Sequence, residues 1–213
     1  MSRIAVITGA ATGIGRATLE AFAAAGWEAI GLDRQPAEEL PEGARIEQVD
    51  VSATEQVETF FAGLRVRHPQ LHALVNNPSI PLEKPLVEIT PEEWEAVQAI
   101  NLRSVFLTSR SAFPLLKAAK GAIVNVSSSH AIPTSIHVAA YAASRGGVLA
   151  LTRAIALEFG TEGVRVNAVQ GRAERPEEIA QAILFLADER RASFITGQAL
   201  VVDGWAGARL STQ

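Results

Sequence analysis

The stretch Thr8-Gly9-Ala10-Ala11-Thr12-Gly13-Ile14-Gly15 lies between a short apolar run, Ile4-Ala5-Val6-Ile7, and a helical pattern that opens at Arg16. A strand that turns through glycines into a helix is a phosphate-binding layout. The first N–H groups of the helix have no intrahelical partner, and the helix dipole adds partial positive charge there. Glycine lets the backbone turn sharply and approach a pyrophosphate with no Cβ in the way. Three glycines alone are equally compatible with a plain tight turn. The position favours a dinucleotide site: the glycines follow the first strand, and Asp33 ends the next apolar run. An acid about 20 residues on is what a ribose 2′-hydroxyl needs.

Strand-like and helix-like segments alternate along all 213 residues. Strands are expected at Ile4-Ala5-Val6-Ile7, 28–33, 45–50, 71–75, 122–126, 164–169 and 199–202. Helices are expected from Arg16 to Ala25, around Val57-Phe60-Phe61-Leu64, over 91–120 with a kink at Pro114, over 141–159, and from Pro176 to Leu186. Gly26 and Gly121 are expected to end the first and third of these. This pattern predicts one α/β domain over 1–213: a seven-stranded, mainly parallel, doubly wound sheet with helices on both faces. Ligands in such sheets bind beyond the carboxyl ends of the strands. The glycine turn, Asp33, Asp50, Asn77 and Ser128 all fall at such ends, which points to a shared crevice.

Composition excludes several classes. With no cysteine there is no disulfide and no thiolate chemistry. A net charge of −4 with signs interspersed is not a nucleic-acid footprint. No apolar run reaches the roughly 18 residues of a membrane span. The first strand begins within four residues of Met1, which leaves no room for a signal peptide, so a cytoplasmic protein is expected. No metal-ligand spacing is present: His130 and His137 are expected at the surface or a pocket rim, and Trp94, Phe106 and Phe113 in the core or a subunit interface.

With these segments placed, the chain resembles the short-chain dehydrogenase/reductase family. The resemblance covers essentially the whole chain. It rests on Thr8-Gly9…Gly13-Ile14-Gly15, Asp50-Val51, Asn76-Asn77, Asn101-Leu102, Val124-Asn125-Val126-Ser127-Ser128, Tyr141-Ala142-Ala143-Ser144, Arg165-Val166-Asn167-Ala168-Val169, Arg175-Pro176-Glu177-Glu178 and Thr196-Gly197…Val202-Asp203-Gly204. It implies a Rossmann-type domain that binds NAD or NADP and forms a homotetramer or homodimer. The partner helices would be those over 91–120 and 141–159. The reaction would be hydride transfer between nicotinamide and a small alcohol or carbonyl. Gly9, Thr12, Gly13, Ile14 and Gly15 would hold the pyrophosphate, Asp50 and Val51 would face adenine, and Asn77 would lie along the cofactor. Asp33 would hold the adenosine ribose and favour NAD, since a 2′-phosphate would meet like charge there. Arg34 leaves NADP possible. Tyr141 would be the acid/base, Ser128 the hydroxyl on the substrate oxygen, Asn101 the anchor of a water relay, and Tyr141 and Arg145 would also contact the cofactor.

Three departures from the family pattern stand out. Its Tyr-x-x-x-Lys reads Tyr141-Ala142-Ala143-Ser144-Arg145 here. Arg145 shares a helix face with Tyr141 and can lower its pKa, but a guanidinium does not release a proton. Its Asn-Asn-Ala-Gly reads Asn76-Asn77-Pro78-Ser79. The long excursion after its sixth strand shrinks to a few residues between Gly171 and Pro176, which predicts an open site. Two functions follow: an NAD-preferring oxidoreductase with impaired or unusual catalysis, or a catalytically silent nucleotide-binding homologue with a regulatory or scaffolding role.

Overall fold

Along the first strand, β1 (Ile4–Thr8), successive side chains alternate between two cores. Ile4 and Val6 join Ile30, Leu32, Leu74, Ile123 and Val166 on one face. Ala5 and Ile7 join Ala29, Ala73, Val75, Val124 and Val169 on the other. The computed structural model describes residues 2–132, 134–171 and 174–204. The strands β2 (Glu28–Asp33), β3 (Ala44–Gln48), β4 (Ala73–Asn76), β5 (Ala122–Ser128), β6 (Arg165–Gly171) and β7 (Ala199–Val202) complete one sheet of order β3-β2-β1-β4-β5-β6-β7. Every neighbouring pair is parallel, so the expected seven-stranded sheet is parallel throughout.

Both faces are covered by helices, as a parallel sheet requires. Leu19 and Phe22 of α1 (Gly13–Ala24) and Ile179, Ile183 and Leu186 of α6 (Pro176–Ala187) fill the Ala5/Ile7 side. The opposite side takes Val57, Phe60, Phe61 and Leu64 of α2 (Thr54–Arg67) and Leu107, Leu115 and Leu116 of α4 (Ser104–Ala119). It also takes Ile155 and Ala156 of α5 (Ala139–Gly160). Each Leu, Ile or Phe so buried contributes roughly 1.5–3 kcal/mol.

The pattern over 91–120 is not one helix. α3 (Pro91–Gln98) starts at a capping box in which Thr90 Oγ1 accepts from Glu93 N and Glu93 Oε2 accepts from Thr90 N. A π turn, Ala99–Arg103, then separates it from α4. The α-periodicity therefore breaks at Asn101, while α4 continues through Pro114, where a kink is expected from sequence. Hydrophobic spacing does not reveal a one-residue widening of a turn; within it the amide of Asn101 holds the Ile80 backbone. The left-handed residue that closes α4 is Lys120, at φ +50°, and not Gly121. Gly121 serves a close approach instead, since a Cβ there would stand 2.7 Å from the Leu71 carbonyl oxygen. A short α7 (Glu189–Ala192), capped by Asp188, is not evident in the sequence.

A buried polar chain crosses the Ile4/Val6 side at mid-sheet. Asn76 Nδ2 donates to Asn125 Oδ1 at 2.9 Å, and Asn125 Nδ2 donates to Thr152 Oγ1 at 2.9 Å. Thr108 Oγ1 donates to Asn76 Oδ1 at 2.7 Å. All four residues are essentially inaccessible, so the chain ties β4 and β5 to α4 and α5 with its polar atoms paired. Removing one member leaves the others unsatisfied in a low-dielectric interior. Asn76→Ala is expected to destabilise the fold by about 1–3 kcal/mol in urea unfolding; an unchanged midpoint would show that the chain adds no stability.

Candidate active site

The glycine turn owes its shape to crowding. Gly9 sits at φ +63°, and a Cβ there would come within 2.9 Å of the Asn77 carbonyl oxygen. A Cβ on Gly15 would stand 1.8 Å from the Gly9 carbonyl oxygen, so α1 can begin this close to the turn because residue 15 has no side chain. Gly13, at φ +54°, borders open space. Thr12 is the N-cap of α1, yet its side chain makes no capping hydrogen bond, and the first turn carries no acid. The first N–H groups of α1 are thus left for a ligand, and the negative end of one is favoured there. This is the chemistry of a pyrophosphate cradle.

Asp33 follows at the end of β2. Its Oδ2 accepts from Ala11 N and its Oδ1 from Gln35 N, both at 3.0 Å. The carboxylate is therefore oriented by the turn itself. Asn77, just past β4, is doubly tethered: its N–H donates to Thr8 Oγ1 and its Nδ2 to the Gly9 carbonyl. These parts line a cavity of about 1000 Å³. It runs from Asp33 on β2, past β1 and β4, to Ser128 on β5 and Gly171 on β6. Four strand spacings of about 4.8 Å make that roughly 19 Å. The cavity straddles the β1/β4 junction, where the strand order reverses, which is where dinucleotides bind in such sheets.

At the far end α5 brings Tyr141 and Arg145 together, one turn apart on one face. The Arg145 guanidinium carbon lies 5.1 Å from the Tyr141 ring centroid. Burial by itself raises the Tyr141 pKa. The Arg145 charge, followed by hydrogen bonding with Ser128, Arg145 and Ser79, outweighs it and holds the phenol below its ordinary value. Burial in turn pulls the Arg145 pKa down, against the opposing pull of Tyr141. Arg145 is 3% exposed. Its Nη2 donates to the Pro78 carbonyl at 3.1 Å and its Nη1 to the Val126 carbonyl at 3.3 Å, while its buried Nε has no partner. Ser128, nearly buried, accepts from His130 N at 3.2 Å.

Of the residues singled out in the sequence, Gly9, Thr12, Ile14, Asp33, Asn77, Ser128, Tyr141 and Arg145 line the cavity. Gly13, Gly15, Asn101, Asp50, Val51 and Arg34 do not. Asn101 is fully buried: its Oδ1 accepts from Ile80 N at 2.8 Å, and its Nδ2 donates to the Ile80 carbonyl and to Ser144 Oγ. Asp50 accepts from Ser52 N and Oγ. Burial raises its pKa, but those bonds, with Arg34 and Arg103, bring it below the ordinary value. Ser79, Ser129, His130, Thr134, Ser135 and Glu174 line the cavity as well. Only His130 is marked as a rim residue by the sequence; the others sit in segments that follow β4, β5 and β6, which is the one signal that could have found them. The link from β6 to α6 spans 172–175, of which Arg172 and Ala173 lie outside the described residues. Among the described residues no cluster of His, Asp or Glu could hold a metal ion, and no helix is long and apolar enough to cross a membrane.

Comparison with known proteins agrees with this geometry. A family profile described as short chain dehydrogenase matches residues 3–173. A 3-oxoacyl-acyl-carrier-protein reductase of Thermotoga maritima is 33% identical over 238 aligned positions, covering 95% of this chain and 96% of the relative. A meso-2,3-butanediol dehydrogenase of Serratia marcescens is 32% identical, covering 97% and 95%. Among solved structures, the ligand-free aldohexose dehydrogenase of Thermoplasma acidophilum superposes with a TM-score of 0.93 at 27% identity, covering 100% of this chain and 96% of that one.

Tyr141 is the sole tyrosine of the chain, so tyrosinate absorbance reports it directly. It is expected to titrate with a midpoint below about 10, and Arg145→Met is expected to move that midpoint up. A midpoint at or above 10 in the unaltered protein would contradict the influence of Arg145 on the phenol.

Proposed function

The chain belongs to the short-chain dehydrogenase family of NAD(P)-dependent oxidoreductases, and we propose that it interconverts a small alcohol and its carbonyl with NAD(H) as the preferred cofactor. The observation that carries this reading is a single cavity with the glycine turn and Asp33 at one end and Tyr141, Ser128 and Arg145 at the other. The crowded Gly9–Gly15 contact, the uncapped start of α1 and the oriented Asp33 carboxylate all fit a dinucleotide. When bound there, the nicotinamide supplies the acceptor or donor of a hydride, the two electrons and one hydrogen of the alcohol carbon. Tyr141 handles the remaining proton. As phenolate it takes the alcohol proton during oxidation, and as phenol it gives one to the carbonyl oxygen during reduction. Ser128, whose hydroxyl oxygen accepts from His130 N and whose hydroxyl reaches Tyr141, stands where it can hold that oxygen beside the phenol. Oxidation should therefore rise with pH through the Tyr141 pKa and reduction should fall.

Arg145 supports the half of a lysine's work that needs no proton release. Its charge favours the phenolate, but both Nη groups are engaged with backbone carbonyls, which favours slow turnover. The alignment with the Thermotoga relative is also longer than the chain, 238 positions against 213 residues. The relative thus carries residues with no counterpart here, in keeping with a shortened cover after Gly171. Preference for NAD rests on Asp33 in the cavity wall and on Arg34, which is exposed and outside it.

The exposed face of α4 and α5 supports a homodimer or homotetramer. A groove of about 200 Å³ there is lined by Phe106, Phe113, Leu151, Ile155 and Phe159, and Phe106 is 46% exposed. Light scattering at micromolar concentration should report an oligomer, and Phe106→Arg should shift it toward smaller species. A purely monomeric unaltered protein would contradict this interface.

Fluorescence titration should give tighter binding of NADH than of NADPH, and Asp33→Ala should narrow the gap. On one carbonyl panel Tyr141→Phe should abolish turnover, whereas Arg145→Lys should raise it. Arg145→Ala should weaken cofactor binding and remove activity, by about 1.5–3 kcal/mol per charge-assisted hydrogen bond lost. Turnover untouched by Tyr141→Phe would overturn the catalytic reading; binding of NADH with no turnover in any variant would favour a silent nucleotide-binding protein.

A further inference from the structure

The substrate end of the cavity is polar in an unusual proportion. Beyond Asn77 its wall is made of Ser79, Ser128, Ser129, His130, Thr134 and Ser135, with Glu174 from the β6–α6 link. Val126 is the one aliphatic side chain in that half. The segment after β5 does carry large apolar residues, but Ile132 and Ile136 are 74% and 80% exposed and lie outside the lining. The hydroxyls of Ser129, Thr134 and Ser135 make no hydrogen bond among the described residues. The backbone of His130 is tied to Ser128, which sets the imidazole beside Tyr141 with ring centroids 6.2 Å apart.

Such a wall selects by what it leaves unpaired. An apolar chain laid on it would strip water from several hydroxyls and an imidazole without replacing the hydrogen bonds. An anionic substrate would need a basic side chain. Arg145, the one cation that lines the cavity among the described residues, is buried and already engaged with two carbonyls, and the wall carries the acidic Glu174 instead. A neutral molecule with hydroxyls on carbons next to the reacting one satisfies every group present. We propose that the substrate is a neutral polyhydroxylated compound, a sugar or polyol, whose further hydroxyls bond Ser129, His130, Thr134 and Ser135. This rests on the oxidoreductase reading above and uses the same hydride and proton transfers.

The test pairs turnover with a binding measurement that needs no chemistry. The purified protein is assayed with NAD against an aldohexose, a hexitol, cyclohexanol and, in the reducing direction, an acetoacetyl thioester. Saturation-transfer NMR of the same hexitol is recorded on the protein with NADH. The sugar or hexitol should be turned over with kcat/KM at least about tenfold above that of cyclohexanol and the thioester, and should show saturation transfer. Thr134→Val with Ser135→Ala should raise the hexitol KM about tenfold, the loss falling on KM more than on kcat, which is the scale of one or two neutral hydrogen bonds. Thr134→Ser should recover most of it. Cyclohexanol or the thioester turned over as well as the sugar, with Tyr141→Phe inactive, would overturn the polyhydroxyl assignment and leave the oxidoreductase reading standing. Saturation transfer from the hexitol with no turnover of any compound would uphold the polar subsite and overturn the oxidoreductase reading. Absence of both signals would overturn both.

Discussion

The contact between Gly9 and Gly15 is the constraint on which the rest of the cofactor end depends. With 1.8 Å between the Gly9 carbonyl oxygen and the place a Cβ of residue 15 would occupy, no other residue fits at position 15 while the turn keeps its shape. That turn reaches outward to β2 and to the end of β4. Gly9 N donates to the Leu32 carbonyl of β2, the Gly9 carbonyl accepts from Asn77 beyond β4, and Ala11 N holds the Asp33 carboxylate. The same backbone turn therefore also sets the position of the Asp33 carboxylate and of Asn77. Geometry at the first turn is inherited by everything along the near half of the crevice.

The far half is organised by a buried positive charge. A guanidinium 3% exposed has lost most of its hydration, and the two carbonyls it meets return part of that stabilisation while the phenol of Tyr141 faces it. Those carbonyls belong to Pro78 and Val126, so Arg145 bridges the segment after β4 to strand β5. Asn101 fastens the same segment from the other side through Ile80. A lysine could not reach both carbonyls with one nitrogen in a planar fork. Arginine at this position thus braces the wall that carries Ser79 from both sides.

Much of this was legible in the sequence. Alternating apolar runs and glycine or proline breaks located all seven strands, because parallel strands buried on both faces read as short continuous hydrophobic runs. The cavity residues at strand ends were legible for the same reason: strand order carries Asp33, Asn77 and Ser128 to one edge. The π turn was not, since a widened turn leaves the apolar spacing of 91–120 nearly intact. Nor were the clamps from Arg145 to Pro78 and from Asn101 to Ile80. They join side chains to backbone carbonyls and amides, and a backbone group carries no residue-specific mark. The open polar wall of Ser129, Thr134 and Ser135 was likewise hidden, because small hydroxyl residues in a connecting segment look like any surface loop.

The π turn at Ala99–Arg103 also acts as a phase adjuster between α3 and α4. Each residue advances a helix by about 100°, so one residue more or fewer in that turn would rotate all of α4 by that angle. Leu107, Leu115 and Leu116 now point into the sheet, while Phe106 points outward. A rotation of that size would carry the leucines off the core and exchange the outer face for another. Five residues thus decide which side of a sixteen-residue helix is the inside and which is left facing outward.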